Sequence, residues 1–183
     1  MATKLEVHQI DTFECVTQYI RLGYHPVALD FASGTNPGGG WRSKQQGTQE
    51  EKLCNESDLG LLLEKKKYPI PKDSYHYLPK VIIYKNKLTC GIIASELRSI
   101  ASRTPEYLIG RIESLYQCAI KQGHDLIILG AWGCGAFKET NEDAEILAKA
   151  FKIVSQKYQS QIKSVFAVLS KANYKIFKRV LEA

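Results

Sequence analysis

Paired cysteines are missing from this sequence: Cys15, Cys54, Cys90, Cys118 and Cys134 occur singly and far apart, with no C-x-x-C among them. An odd, scattered set argues against a disulfide framework and a zinc site, leaving reduced, mostly buried thiols as the default. Long hydrophobic runs are missing as well. No apolar segment approaches a membrane span, and the start, Met-Ala-Thr-Lys-Leu-Glu-Val, lacks the apolar block of a signal peptide, so the chain reads as intracellular and cytoplasmic. Without a repeat, a low-complexity tract or an internal linker, its 183 residues read as a single domain, residues 1–183, with one real core. Neither G-x-x-x-x-G-K-[ST] nor G-x-G-x-x-G occurs, which removes the usual support for nucleoside-triphosphate hydrolysis and dinucleotide redox chemistry. Acidic residues are in the minority, 19 against 25 Lys plus Arg, and the resulting +6 favours an anionic partner, a phosphorylated metabolite or a nucleic acid. The basic clusters Lys65–Lys67 and Lys171–Arg179 read as solvated faces, since no aromatic residues interleave with them in the single-strand-binding manner.

What is present is an alternation of strand and helix patterns. Residues 5–10 alternate as a strand near a sheet edge, and Asp11 or Thr12 caps a short helix closed by Gly23. Residues 26–32 form a nearly continuous apolar run, as a central strand buried on both faces requires. Helices follow over 49–57, where Thr48 and Glu51 can form a capping box, and over 58–66. Residues 68–79, with their prolines and tyrosines, read as an irregular excursion able to form a pocket wall. Residues 81–84 and 90–95 pair as an antiparallel hairpin, Thr104-Pro105 opens a helix reaching about Gln122, and 126–130 is another buried strand. A helix capped within 140–143, a strand over 164–170 and a helix over 173–182 complete the chain. This pattern predicts an α/β fold, a three-layer α/β/α domain around a mixed, mostly parallel six-stranded sheet.

Two glycine-rich stretches follow central strands, and ligands of open α/β sheets bind at the carboxyl ends of strands, so the two should share one crevice. The first is Asn36-Pro-Gly-Gly-Gly40, followed after eight residues by Gln49-Glu50-Glu51. Three consecutive glycines expose backbone N–H groups and admit a ligand close to the main chain, which a simple connector has no need to do. The adjacent carboxylates project about 100° apart around a helix, so one can be held by structure or ligand hydroxyls while the other faces a bond to be broken. Helix N-terminal placement lowers a carboxyl pKa, the wrong direction for a general acid, whereas a nearby diphosphate and the exclusion of water raise it. Acid function would therefore depend on bound substrate. In the second stretch, Gly130, Gly133 and Gly135 can aim successive N–H groups at one anion, and Trp132 and Phe137 can either pack on a sugar or base or form a hydrophobic lid. Cys134 lacks the glycine spacing of a nucleophile elbow and an obvious His partner.

These residues resemble the poly(ADP-ribose) glycohydrolases. The glycine triplet leading to Gln-Glu-Glu is similar to their signature, and Leu129-Gly-Ala-Trp-Gly-Cys-Gly-Ala-Phe137 resembles the diphosphate loop of their microbial branch, a variant of the macrodomain. Asp30-Phe-Ala-Ser33 and Asn141-Glu-Asp143 extend the likeness, although Asp30 stands where asparagine is the family's usual residue. The resemblance implies metal-free and cofactor-free hydrolysis of the ribose O–C1 bond in poly(ADP-ribose) or an ADP-ribosylated protein or nucleic acid, by a monomer. Glu51 would be the acid and then the base, and Glu50 would hold ribose hydroxyls. Asn36 and the Gly38, Gly39 and Gly40 backbone would bind the distal ribose, with Gln49 beside them. Gly133, Cys134, Gly135 and Ala136 would hold the diphosphate, Gly130 and Trp132 are further ligand-binding candidates on the same loop, and Phe137 would stack beside the ribose. The alternative from another class is a non-catalytic module that captures ADP-ribose or a related nucleotide.

Overall fold

The computed structural model describes residues 4–43, 47–135 and 142–183. Six strands, β1 (Glu6–His8), β2 (Pro26–Phe31), β3 (His76–Ile82), β4 (Thr89–Ser95), β5 (Leu126–Leu129) and β6 (Lys163–Ala167), form one sheet in the order β1-β6-β5-β2-β4-β3. All neighbours are parallel except β3 and β4, whose antiparallel pairing is the hairpin anticipated from the sequence. The helices are α1 (Thr12–Arg21), α2 (Gln49–Glu56), α3 (Leu59–Leu63), α4 (Pro105–Lys121), α5 (Glu142–Lys157) and α6 (Lys171–Leu181). Among the described residues, no helix is long and apolar enough to cross a membrane.

The period-2 alternation of the strands divides the core in two. Val27, Leu29, Ile127 and Leu129 face the layer built from α4, α5 and α6, whereas Ala28, Leu126 and Ile128 face α1, α2 and α3. The alternation explains why both central strands read as nearly continuous apolar runs: every residue but the half-buried Phe31 is buried, whichever face it points to. All five cysteines are buried and none forms a disulfide.

Several element bounds change. α3 ends at Leu63 rather than at residue 66, β3 ends at Ile82 rather than at 84, and β6 runs Lys163–Ala167 rather than 164–170. Residues 76–79 belong to β3 rather than to an excursion, because an edge strand tolerates Pro79, which has no N–H to give, and the register shifts between Leu78 and Val81. The excursion shrinks to residues 68–75. The last helix starts at Lys171, two residues earlier than the periodicity indicates, since Ser170 caps it by accepting from the Asn173 N–H. Of the cap expected at 140–143, Thr140 and Asn141 lie outside the described residues.

Glycine use on the second loop is divided between packing and openness. A Cβ on Gly130 would stand 2.6 Å from the Ala167 carbonyl oxygen and 2.9 Å from Phe31 Cζ, so this residue lets β5 lie close to β6; a Cβ on Gly135 would meet nothing within 4 Å. Gly130→Ala is expected to lower unfolding stability by about 1–3 kcal/mol, and Gly135→Ala to stay within about 0.5 kcal/mol of wild type. Urea denaturation of the two variants checks the contrast.

Candidate active site at the ends of β2 and β5

The first turn of α2 is fastened side chain by side chain to the end of β2 and to the glycine triplet. Gln49 Oε1 accepts from the Phe31 N–H at 2.8 Å, while its Nε2 donates to the Leu29 carbonyl at 2.9 Å and to Thr12 Oγ1 at 3.1 Å. Glu50 Oε1 accepts from the Ser33 N–H at 2.8 Å, and Glu51 Oε2 accepts from the Gly40 N–H at 2.9 Å. Glu51 also completes the capping box, accepting from the Thr48 N–H at 3.2 Å while its own N–H donates to Thr48 Oγ1. The structural reading of this glutamate and the site reading are thus both realised in one side chain.

The triplet folds over these carboxyls. Gly38 and Gly39 have φ of +75° and +61°, and a Cβ on Gly39 would lie 3.6 Å from both Glu50 Oε1 and Glu51 Oε2. At Gly38 a Cβ would stand 2.2 Å from Trp41 Cδ1. Glycine is therefore required twice, by conformation and by space. Asn36 is exposed; its carbonyl accepts from the Gly39 N–H, and its own N–H donates to Ser33 Oγ.

Beneath Glu50 lies Asp30, fully buried on β2. Neither Asp30 oxygen, nor Glu50 Oε2, meets an N–H or hydroxyl donor. The two carboxyls lie close enough to perturb each other, and burying two acids together favours a proton on one of them. Burial is the main cause that raises both pKa values; for Glu50 the neighbouring Asp30 charge pushes further in the same direction, against the Ser33 N–H. The sequence marks this position only as a charged residue within an apolar strand, and its pairing with Glu50 could have been suspected because buried carboxylates need partners.

On the second loop the expected ligand residues separate. Trp132 is 1% exposed, its indole N–H donates to the Ser95 carbonyl at 2.9 Å, and the Arg111 guanidinium lies 5.1 Å from its ring centroid. It is a core anchor, which corrects the expectation of a ligand contact: the ring is enclosed and its one donor is used. Cys134 is buried with its Sγ directed at the Trp132 carbonyl, and Gly130 is buried in the β5–β6 packing. Gly133, with φ +73°, and Gly135 face a cleft of about 330 Å³. Ala136 and Phe137 lie outside the described residues.

This cleft runs from the ends of β6 and β5 to α2. Its lining includes Val168 and Leu169, Gly133 and Gly135, and Phe31, Thr48 and Gln49. Asn36, the triplet, Glu50 and Glu51 are not among its lining residues; Glu51 stands behind Thr48, whose N–H bonds its carboxylate. Because β2 and β5 are parallel neighbours, their two glycine loops open on the same side of the sheet, as the crevice argument requires.

Residues 1–89 match the catalytic domain of microbial-type PARG. The fold likeness spans the whole chain. The poly(ADP-ribose) glycohydrolase of Thermomonospora curvata superposes with a TM-score of 0.83 at 25% identity, covering 98% of this chain and 77% of the other. The same enzyme bound to the inhibitor ADP-HPD gives 0.81 at 24% identity, over 96% and 78%. A T267K mutant of the Deinococcus radiodurans enzyme in complex with ADP-ribose gives 0.78 at 26% identity, over 99% and 85%. No curated protein matches the chain. The family resemblance is thereby borne out over residues 1–89, which hold the first glycine stretch, and the mixed six-stranded α/β architecture over the whole chain.

The buried acid pair has a measurable signature. Both carboxyls bind their proton more tightly in the folded chain than in the unfolded one, so stability is greatest below the unfolded carboxyl pKa of about 4 and falls as pH rises above it. Asp30→Asn keeps the shape and removes one titrating group. Its melting temperature is expected to exceed that of wild type by roughly 2–8 °C at pH 7.5 and to converge with it near pH 4. Thermal melts across that range followed by circular dichroism test this; parallel curves for the two proteins would mean that no proton is shared.

Proposed function

We propose that the protein is an ADP-ribosyl glycohydrolase of the microbial poly(ADP-ribose) glycohydrolase type, releasing ADP-ribose by hydrolysis of a ribose O–C1 bond. The observation that carries this reading is the placement of the Glu51 carboxylate, 2.9 Å from the Gly40 N–H beneath a triplet whose first two glycines have positive φ, and bonded to Thr48, which lines a cleft of ligand size. The similarity to enzymes solved with ADP-ribose and with ADP-HPD supports it.

In this reading adenosine lies toward the β6 end of the cleft, the diphosphate meets the backbone at Gly133 and Gly135, and the distal ribose sits under the triplet. Gly39 and Gly40 let the sugar approach the main chain without side-chain obstruction. Glu51 gives a proton to the departing oxygen as the O–C1 bond breaks, and the electron pair leaves with that oxygen. The carboxylate then takes a proton from water as the water oxygen bonds to C1, which restores Glu51. Glu50 contributes differently from the expectation. Its Oε1 is held by the Ser33 N–H and its carboxyl is buried beside Asp30, so it serves to position the turn. Gln49 likewise uses its amide on β2, which fixes the helix relative to the strand.

A second reading, a module that binds ADP-ribose without cleaving it, draws on the capping box, since both Glu51 oxygens already accept backbone N–H groups. Glu51→Gln separates the two. The amide oxygen can keep one of the backbone bonds while the acid is lost. Hydrolysis of poly(ADP-ribose), read as free ADP-ribose, is expected to fall by about 10²–10⁴-fold with the Kd for ADP-ribose little changed. Tight ADP-ribose binding by a wild-type protein that releases no product would favour the binding module.

A further inference from the structure

The parallel strands β6, β5, β2 and β4 end in that order along one rim of the sheet. The cleft occupies the first three ends. Beyond β2, where β4 ends, lies a second cavity of about 140 Å³, which shares Gly34 with the loop that leads into the triplet and has six charged residues in its wall beside Ile70, Pro71, Ser74 and Tyr107. Four cations line it, Lys72, Arg98, Arg103 and Arg111, against two acids, Asp73 and Glu96, for a net charge of 4 − 2 = +2.

Both acids have donors. Glu96 Oε2 accepts from the Gly34 N–H at 2.7 Å and lies 3.2 Å from Arg98 Nε; Asp73 Oδ1 accepts from the Tyr107 hydroxyl at 2.6 Å and lies 3.6 Å from Arg111. Arg111 is the fixed floor. It is 8% exposed and donates to the Glu96 carbonyl at 2.7 Å, to Ser95 Oγ and to the Tyr107 hydroxyl. Arg103 lies over the Tyr107 ring at 4.5 Å with its Nε directed at the Arg98 carbonyl, and Lys72 and Arg98 are exposed at the mouth. Such a cavity, polar, small and net positive, suits a phosphate oxygen cluster better than a sugar or an apolar side chain.

We propose that this cavity is an acceptor-side subsite that binds a phosphate group on the departing half of the substrate. The inference rests on the glycohydrolase reading, because that reading fixes the direction of the ligand. With adenosine at β6 and the distal ribose at β2, the group leaving C1 continues along the rim toward β4, about one strand spacing of 4.8 Å further on. A leaving ADP-ribose unit carries its pyrophosphate on the same ribose whose hydroxyl departs, so the subsite takes that pyrophosphate. A protein side-chain acceptor offers no such group.

The test compares poly(ADP-ribose) with an ADP-ribose glycoside that has a neutral phenol as its leaving group, using wild type, the double variant Arg98→Gln/Arg103→Gln and the single variant Lys72→Gln. The ratio of kcat/KM for polymer to kcat/KM for the neutral glycoside is expected to fall about 10- to 100-fold in the double variant and less in the single one, with a weaker salt dependence on polymer alone. A ratio unchanged in both variants, while wild type hydrolyses both substrates, would overturn the subsite and leave the glycohydrolase reading intact. Wild type that hydrolyses neither substrate would overturn that reading, and the subsite with it.

Discussion

The geometry of the site depends on one set of contacts: three consecutive side chains at the start of α2, each bound to main-chain N–H groups of a different part of the turn after β2. Gln49 holds Phe31, Glu50 holds Ser33 and Glu51 holds Gly40. A helix start normally carries unsatisfied donors of its own and gains from a nearby acid. Here the acids also satisfy donors elsewhere, so strand end, loop and helix become one rigid unit. The triplet can then be pure glycine without collapsing or fraying, because its position is set from below by carboxylates rather than by side chains of its own.

Asp30 is the energetic cost of this arrangement. A fully buried carboxyl on a central strand has no favourable environment except another carboxyl with which to share a proton. The result is a pair of carboxyls that burial keeps from ionising together, while the Ser33 N–H holds Glu50 Oε1 in place. The charge under the triplet is thereby lower than the count of acids suggests. Such local strain against stability is what a site, as distinct from a packed core, is expected to contain.

Much of this was legible in the residues. Both glycine stretches, the central strands, the hairpin and the capping box follow from patterns a few residues long, and those patterns survive because local preference and tertiary packing agree. The second loop was less legible. Spacing alone treats Gly130, Gly133 and Gly135 alike, yet one admits a neighbouring carbonyl and another faces open space. Trp132 looked like a ring for stacking on a ligand because nothing in the sequence announces that the Ser95 carbonyl and Arg111 are waiting for it. The extension of β3 through Pro79 was hidden for a related reason: whether a proline is tolerable depends on which strands lie beside it, and that is decided by residues far along the chain.

The ends of the sheet bear on how the protein behaves in a crowded solution. On one side β3 presents Pro79 and Lys80 together with a register shift, and on the other β1 is only three residues long. A strand from another molecule seeking to extend the ladder would find a missing donor, a charge and a kink at one border, and at the other a row too short to hold it. Aggregation by strand addition is therefore obstructed at both borders, even though the two central strands are among the most apolar segments in the chain.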